Sequence, residues 1–416
     1  MAKTRKPTLW TRNYILLIAA TTCGCIGGIA GSFALSFLVF DETGSTLAAA
    51  LLIALQVIPS VLIPLVAAPI MDRLPRKPLL VLGDVINGVL YTLAGLYLLY
   101  FEFNYTGYLV FSLVLSSLGT FDDLAYTSLY PKLIPKGFEN QGYTVSGMLY
   151  PVLRVVMAPV AAWLYGAVGV AAILIIQGVL CFAAAAAENL IRLEEDTALP
   201  QEGYSLRLWW QDIKEAAAYL KNEPGLRDIY AYMALSNGIG NGYYPLLTAF
   251  FRTAAGFTIG MYSFFSVAEF AGRSLGGMVH YHVKIPAKRR FGFAAFVYVL
   301  YELMDTVLLW LPYPLMLANR ALCGFLGINS ATLRETAVQG YIPEQLRARL
   351  NAFCNITIQA SIGIFSLLIG TLGEFLPYHW CMSICGLAAL FSCCLTVLRG
   401  RKHVAPIYNR ETDEPA

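Results

Sequence analysis

Long uninterrupted apolar segments dominate this sequence, and their length limits what the chain can fold into. The first runs from Tyr14 to Phe40 without a charged side chain. A helix needs about 20 apolar residues to cross the hydrocarbon core of a bilayer. Hydrophobic residues make up 57% of the chain and charged residues 13%, whereas soluble domains carry about 45–50% and about 25%. This composition excludes a soluble enzyme, a disordered chain and a coiled coil, and it predicts an all-α integral membrane protein.

Twelve segments have the length and apolar character of transmembrane helices, six on each side of a polar stretch. They are 14–40, 45–70, 79–101, 107–130, 143–166, 168–190, 226–251, 257–281, 291–312, 313–335, 350–373 and 377–398. An even number of spans puts the two termini on the same side of the membrane. The 416 residues are therefore expected to form twelve transmembrane helices in two six-helix halves.

The polar stretch divides the chain into four predicted parts. Residues 1–190 form the N-terminal six-helix half, 191–225 the linker, 226–399 the C-terminal six-helix half, and 400–416 a cytoplasmic tail. In the linker, apolar residues recur at roughly helical spacing from Leu206 onwards, with tryptophans at one edge of the pattern. This pattern predicts a helix that lies in the cytoplasmic interface of the membrane.

Lysine and arginine mark one side of the predicted membrane. If both termini are cytoplasmic, the inner segments hold Lys3, Arg5, Lys6, Arg12, Arg73, Arg76, Lys77, Lys132, Lys136, Lys284, Lys288, Arg289, Arg290, Arg347, Arg349, Arg399, Arg401 and Lys402. The outer loops then hold only Arg252. Cytoplasmic loops are enriched in these residues, so the asymmetry predicts that both termini are cytoplasmic.

The sequence repeats weakly at an offset of 208 residues, which is half of 416. At this offset Pro78 corresponds to Pro286, and the Ile-Pro pair at 134–135 corresponds to the one at 342–343. Two six-helix halves with the same orientation indicate a parallel repeat about an axis along the membrane normal. Such an arrangement places a substrate site between the halves, near the bilayer midplane.

The loop after the second span carries a family resemblance. Residues 68–77 read Ala-Pro-Ile-Met-Asp-Arg-Leu-Pro-Arg-Lys, which resembles the pattern G-x-x-x-D-R-x-G-R-[RK] of the major facilitator superfamily. Asp72, Arg73, Arg76 and Lys77 match the pattern, while Ala68 and a proline replace its two glycines. The resemblance implies a transporter that works by alternating access, with these four residues in a conformational gating loop.

Weaker sequence similarities indicate one branch of that family. The segments 9–14, 38–45, 133–135 and 341–349 resemble the bacterial macrolide-efflux and enterobactin-exporter branch. In the fifth span, the antiporter motif G-P-x-x-G-G retains Pro159, but its glycines have become alanine or tryptophan. The resemblance implies export rather than uptake, and a bacterial cytoplasmic membrane.

Charged residues inside the predicted spans are candidates for coupling or for buried pairs. An ionisable side chain at the bilayer centre costs about 2.5–3.5 kcal/mol on insertion scales, so it faces the bundle interior and needs a partner. Asp122 or Asp123 on the fourth span lies at a depth that allows a pair with Arg154 on the fifth. One of these two aspartates is also a candidate proton site. Asp84, only a turn or two inside the third span, is expected to pair with the adjacent basic loop.

The second half carries its own buried charges. Glu269 and Arg273 are four residues apart and lie on one face of the eighth span. On the ninth span Glu302 and Asp305 share a face, and Arg320 lies at similar depth on the tenth. We expect one of these two acids to pair with Arg320, and Glu269 is an alternative proton site.

Uncharged polar residues indicate a ligand cavity. The seventh span reads Ser-Asn-Gly-Ile-Gly-Asn-Gly-Tyr-Tyr-Pro over 236–245. Glycines and a proline weaken a helix, and broken backbone at membrane depth is tolerated where it lines a cavity. The predicted substrate contacts are Asn237, Asn241, Tyr243, Tyr244, Asn319 and Asn329.

The sequence therefore predicts a secondary active transporter that exports a lipophilic or amphiphilic small molecule, with proton antiport as its driving reaction. Uptake of a nutrient by symport or facilitated diffusion is the alternative within the class, and a transporter-like membrane receptor is the alternative outside it. No cofactor, metal site or nucleic-acid partner is expected, and no enzymatic activity. The pair His280 and His282 points to different helix faces, and no phosphate-binding loop for ATP is found. The expected partners are substrate, protons and membrane lipids, and the chain is expected to be a monomer in the cell membrane.

Overall fold

The computed structural model describes residues 8–71, 75–135, 137–193, 206–282 and 285–410. Within these ranges the chain is helical and contains no β-strand. The helices are α1 Arg12–Thr43, α2 Thr46–Met71, α3 Arg76–Tyr100, α4 Tyr105–Leu133, α5 Glu139–Asn189, α6 Leu206–Asn222, α7 Pro224–Gly242, α8 Tyr244–Thr253, α9 Ile259–His282, α10 Ala287–Val307, α11 Tyr313–Tyr341, α12 Glu344–Phe375, α13 Tyr378–Cys393 and α14 Arg401–Asn409. A single 3₁₀ turn, Leu308–Trp310, extends α10, and a π-turn, Cys394–Leu398, extends α13.

Eight helical segments among the described residues are long and apolar enough to cross a membrane. The longest helix, α5, has 51 residues, or about 77 Å at 1.5 Å per residue. This is more than twice the roughly 30 Å thickness of the hydrocarbon core. Gly169 interrupts α5 with a φ of 76°, a backbone conformation that favours glycine. The interruption falls where the sequence predicted a turn between two spans.

The chain forms two compact units. Unit 1 contains Met1–Glu42 and Ile58–Ser205, and unit 2 contains Thr43–Val57 and Leu206–Ala416. The first turns of α2 thus group with unit 2. The sequence-based boundaries at 190 and 226 stay a prediction.

The helices repeat at the offset seen in the sequence. The first residues of α4 and α11 are Tyr105 and Tyr313, and their last residues are Leu133 and Tyr341, so both ends differ by 208 (313 − 105 and 341 − 133). Both helices begin with a tyrosine and end just before an Ile-Pro pair. The internal repeat therefore extends from sequence to helix boundaries.

Close backbone contacts join helices within each unit. In unit 1 a Cβ on Gly178 of α5 would lie 2.8 Å from the carbonyl oxygen of Gly88 on α3. In unit 2 a Cβ on Gly272 of α9 would collide with the carbonyl oxygen of Ala321 on α11. Small residues that let helices approach closely are a common means of association in membranes, where lipid removes most of the hydrophobic driving force.

The predicted linker helix is present as α6, and it is fastened to unit 2. Arg349 of α12 donates to Asp212 at 2.8 Å and also pairs with Glu215. Ala216 and Leu220 are buried in the apolar core at this end of unit 2. Trp210 remains 53% exposed, which agrees with a helix that has one packed face and one free face.

The C-terminal segment, expected as a plain tail, forms the additional helix α14. Val404, Ile407 and Tyr408 of α14 are buried in the same core as α6. The Tyr408 hydroxyl lies 2.9 Å from that of Tyr298 on α10, and Asn409 Oδ1 accepts a hydrogen bond from the backbone N–H of Phe291 at 3.0 Å. The apolar residues of this segment are too few and too scattered to reveal the helix from sequence.

Candidate functional sites

The seventh predicted span is broken where its glycines, tyrosines and proline cluster. It forms α7 and α8, with Tyr243 between them and Pro245 in the first turn of α8. The amide nitrogens of Asn237 and Asn241 donate to the carbonyl oxygens of Met233 and Asn237, at 2.8 and 2.9 Å. Their Oδ1 atoms remain as acceptors on partly buried side chains. Tyr244 is half-buried as well.

Unit 2 holds a set of polar side chains that we call the buried charge network. It consists of Tyr232 and Ser236 on α7, Tyr243 after it, Glu302 and Asp305 on α10, and Arg320 on α11. Only 3% of Glu302, 3% of Asp305 and 4% of Arg320 is exposed. A charge at this depth requires a partner, since its transfer from water costs several kcal/mol.

Arg320 pairs with Asp305, one of the two acids that the sequence left open. Its guanidinium donates to Asp305 Oδ1, and the Tyr243 hydroxyl donates to Oδ2 at 3.2 Å. Tyr243, predicted as a substrate contact, is itself only 5% exposed and serves this ion pair. The other acid, Glu302, accepts hydrogen bonds from Tyr232 at 3.1 Å and Ser236 at 2.8 Å.

The two asparagines predicted on the tenth span are buried in unit 2. Asn319 donates to the Met304 carbonyl oxygen at 2.9 Å and accepts from Arg320 at 3.0 Å. Asn329 donates to the Gly276 and Phe325 carbonyl oxygens, at 3.3 and 2.7 Å, and its Oδ1 lies 3.1 Å from His280 Nδ1. These contacts join α11 to α10 and α9. The structure thus places both amides among helix-packing contacts.

The predicted pair on the eighth span is formed. Arg273 Nη2 and Nε donate to Glu269 Oε1 at 2.8 and 3.0 Å. Arg273 is 47% exposed and Glu269 30% exposed. The pair is therefore more accessible than the buried charge network.

Unit 1 holds a contrasting group that we call the acidic cluster, formed by Asp84 and Asn87 on α3, Asp122 on α4 and Glu188 at the end of α5. Asp122 Oδ2 accepts a hydrogen bond from Asn87 Nδ2 at 2.9 Å. Asp122 is close enough to Asp84 for electrostatic repulsion, and Glu188 experiences the charge of both. Glu188 is 6% exposed, and its Oε2 atom has no hydrogen-bond partner in the described part of the chain.

Backbone close to Asp122 shapes its position. A Cβ on Gly83 of α3 would collide with the Asp122 carboxylate. The bare backbone of Gly83 therefore lets the carboxylate reach α3 and the amide of Asn87. Asp122 is partly buried, whereas the neighbouring Asp123 is exposed, as expected for adjacent residues that diverge by about 100° on a helix.

The acidic cluster differs from the sequence-based interpretation. Asp122 takes its hydrogen bond from Asn87 rather than from Arg154, which is exposed. Asp84 lies close enough to Asp122 for electrostatic repulsion, and its pairing with the basic loop stays a prediction because part of that loop lies outside the described residues. Sequence reasoning missed Asn87, although it lies three residues after Asp84 and so on the same face of α3.

The predicted gating loop is described only in part. Asp72 and Arg73 lie outside the described residues. Arg76 begins α3, and Lys77 donates from Nζ to the carbonyl oxygen of Asn189 at 2.8 Å. A cation at the C-terminal end of a helix interacts favourably with the free carbonyl groups there. Lys77 thus fastens the C-terminal end of α5 to the start of α3.

Neither cluster has the geometry of a metal site. Among the residues that the structure describes, no group of three or more histidine, cysteine, aspartate or glutamate side chains could hold a metal ion. The arrangement of acids, amides and hydroxyls is suited to binding and exchanging protons, which need no such convergence.

Known proteins share this fold. The nucleoside transporter NupG has a TM-score of 0.69 and 12% identity, covering 94% of this chain and 99% of its own. A bacterial homolog of the human lysosomal transporter Spinster has a TM-score of 0.64 and 14% identity, covering 97% of both chains. A POT family transporter has a TM-score of 0.69 and 12% identity, covering 94% and 96%. No curated protein matches the sequence.

A family model described as Major Facilitator Superfamily matches residues 16–304. The match covers more than half of the chain and includes all the helices of the acidic cluster and the first part of the buried charge network. The likeness in fold agrees with it, and the family points to a transporter rather than an enzyme. The chain therefore belongs to the major facilitator superfamily and is a multi-pass membrane transporter.

Proposed function

We propose that the protein is a secondary active transporter that exports a lipophilic or amphiphilic small molecule in exchange for protons. Alternating access would take place between two six-helix halves, with twelve spans and both termini in the cytoplasm. The repeat of helix boundaries at 208 residues (313 − 105) supports two equivalent halves. The lysines and arginines on one side support the orientation.

The observation that carries proton coupling is the environment of Asp122. This acid lies on an apolar helix with two further acids nearby, Asp84 and Glu188. In the described ranges no basic side chain pairs with Asp122, whose partner is the neutral amide of Asn87. Like charges in a medium of low dielectric constant repel strongly, and a proton on one of the acids relieves that repulsion. Asp122 is therefore our choice for the coupling residue, and Asp123 serves no such role.

The proposal of export rests on the sequence resemblance to an exporter branch. The proposed substrate class rests on the polar residues at the end of α7. The similarity of segments 9–14, 38–45, 133–135 and 341–349 to the macrolide-efflux and enterobactin-exporter branch favours export from a bacterial cytoplasm. The partly buried Asn237, Asn241 and Tyr244 lie next to a helix break, and broken backbone at membrane depth lines cavities. An apolar cavity with a few polar groups suits an amphiphilic ligand. The working unit would be a monomer surrounded by lipid.

The test is a flux assay on the full chain in proteoliposomes with a pH-sensitive dye inside. A pH gradient is imposed, and a panel of amphiphilic compounds that includes ethidium is added. A substrate is expected to move protons in the opposite direction to itself, and Asp122→Asn is expected to abolish this flux while Asp123→Asn retains it.

The direction of proton flow decides between the proposal and its rivals. Protons that move together with a compound would contradict antiport and would establish uptake by symport. Compound movement without any proton flux would contradict coupling and would establish facilitated diffusion. If no compound of any class moves but a compound binds, the result favours a receptor.

A further inference from the structure

Two acids one turn apart on α10 are bound in different ways. Both Asp305 oxygens accept a hydrogen bond, Oδ1 from Arg320 and Oδ2 from Tyr243 at 3.2 Å. Glu302 accepts two hydrogen bonds on a single oxygen, Oε1, from the hydroxyls of Tyr232 at 3.1 Å and Ser236 at 2.8 Å. In the described part of the chain, Oε2 of Glu302 receives no donor. Asp305 has the contacts of a carboxylate, and Glu302 does not.

The contacts of Glu302 are those of a neutral carboxylic acid. In such an acid the carbonyl oxygen accepts hydrogen bonds and the other oxygen carries a proton. Glu302 is 3% exposed, and no cation among the described residues pairs with it. A buried carboxylate without a cation is strongly disfavoured, and such a group becomes neutral instead. The hydrogen-bond geometry of Glu302 and its burial therefore both indicate a neutral acid.

The surroundings of Glu302 add no compensating charge. The titratable and charged groups in the network around it are Tyr232 on α7, Tyr298 and Asp305 on α10, Arg320, Cys323 and Arg334 on α11, and Cys393 on α13. Arg320 is already bound to Asp305, to Tyr243 and to Asn319. Arg334 lies near the hydroxyls of Tyr298, Tyr408 and Tyr232, and it forms no ion pair with Glu302 among the described residues. The other groups are neutral or negative, so ionisation of Glu302 would leave it without a paired cation.

We propose that Glu302 is a second proton-binding site, which holds a proton on Oε2 in this conformation and releases it when α7 moves away from α10. On release the O–H bond breaks, the proton passes to a water molecule, and the electron pair stays on Oε2 as part of a carboxylate. The inference rests on the proposed function in one respect: it assigns a coupling proton to unit 2 in addition to that of Asp122.

The position of Glu302 links its proton to the candidate ligand contacts. Its two hydroxyl donors belong to α7, and Ser236 directly precedes Asn237, about two turns before the break at Tyr243. Protonated Glu302 keeps α7 against α10. A carboxylate at this position would compete with Asp305 for Arg320, to which Tyr243 is also bound. Proton release would thereby shift the part of α7 that carries Asn237 and Asn241.

Infrared spectroscopy of the purified full chain in lipid nanodiscs tests the protonation directly. At neutral pH the carbonyl stretch of a carboxylic acid is expected to be lost in Glu302→Gln and retained in Glu269→Gln, because the guanidinium of Arg273 binds Glu269. If Glu302→Gln leaves the carboxylic acid band unchanged, Glu302 is ionised and the proposal is wrong.

Thermal denaturation of the same variants gives a second readout. Glu302→Gln replaces a neutral acid by a neutral amide of the same shape, so its melting temperature is expected to stay near that of the wild type. Asp305→Asn should melt at a clearly lower temperature, since it removes the charge that Arg320 needs. An equal loss in both variants would overturn the proposal.

These measurements require neither a substrate nor a pH gradient. A missing acid band would remove Glu302 as a proton site and leave coupling through Asp122 intact. Conversely, an acid band in a protein that moves no protons would retain the Glu302 assignment and contradict the proposed transport function. The failures of the two proposals are thus distinguishable.

Discussion

Asp122 in the acidic cluster of unit 1 and Asp305 in the buried charge network of unit 2 have opposite kinds of partner. Asp305 is held by the guanidinium of Arg320. Asp122 has the neutral Asn87 as its partner and two acids, Asp84 and Glu188, as neighbours. A buried acid with a cation is fixed in its charged form and serves structure, whereas one with only neutral or acidic neighbours can change its charge. This difference in partners is the basis on which we propose a packing role for Asp305 and a coupling role for Asp122.

The repeat explains why this difference is possible. At the 208-residue offset, the unit 1 positions that correspond to Asp305 and Arg320 (305 − 208 and 320 − 208) are Tyr97 and Ser112. The unit 2 position that corresponds to Asp122 (122 + 208) is Ser330. At these three positions the charges of one unit are therefore not repeated in the other. Neither cluster is a copy of the other, and each can have a separate task.

The largest expected effect comes from breaking the ion pair of unit 2. Arg320→Ala leaves Asp305 as an uncompensated buried charge, which typically costs about 3–5 kcal/mol. The double variant Arg320→Ala with Asp305→Ala is expected to lose less stability than the sum of the single variants, because the two side chains interact. Thermal denaturation in detergent measures all three.

The matched control tests Glu302, the other acid of α10, in combination with Arg320→Ala. Glu302→Gln combined with Arg320→Ala should show no comparable rescue, since Glu302 is bound by hydroxyls. Additive losses for Arg320 and Asp305 would show that these residues do not stabilise each other.

The second prediction concerns transport without loss of stability. Asp122→Asn preserves size and hydrogen-bonding capacity, so the protein is expected to fold and to retain downhill exchange of substrate. Transport driven by a pH gradient should be abolished, because the amide cannot bind and release a proton. Full pH-driven transport in Asp122→Asn would place the coupling site elsewhere, and Glu302 would then be the next candidate.

A smaller effect is expected from moving Asp122 without removing it. Gly83→Ala places a methyl group against the Asp122 carboxylate, and overpacking of this kind typically costs about 1–3 kcal/mol. We expect the carboxylate to shift away from Asn87 and pH-driven transport to fall partly. Gly119→Ala on α4 is the control, because a Cβ there meets no atom within 4 Å. Equal behaviour of the two variants would show that the close approach at Gly83 does not matter.

Much of the fold was predictable from periodicity and composition, while its additional helix was not. The apolar segments gave the positions of helices such as α1 and α4, because the length of a span is set by the bilayer. The linker helix α6 followed from its helical spacing. In contrast, α14 is held by three buried side chains and a hydroxyl contact with Tyr298, which are tertiary contacts that local sequence does not encode.

The charged residues of the buried charge network could be predicted from the sequence, but their partners could not. The depth of Arg320 in the membrane indicated an acid on α10, but two acids lie on the same face. The choice of Asp305 depends on the reach of the guanidinium and on the donors that Glu302 finds on α7. Likewise, depth alone allowed Asp122 to reach Arg154, and the actual contact with Asn87 depends on the rotation of α4 and on the bare backbone of Gly83.

The central claim is that Asp122 changes its protonation state and that the exposed Asp123 beside it plays no part in coupling. The most direct measurement is a potentiometric count of the protons that the purified protein takes up when an alkaline solution is brought to neutral pH. We expect Asp122→Asn to take up one proton fewer than the wild type, and Asp123→Asn to take up the same number. Equal proton uptake by Asp122→Asn and the wild type would contradict the account.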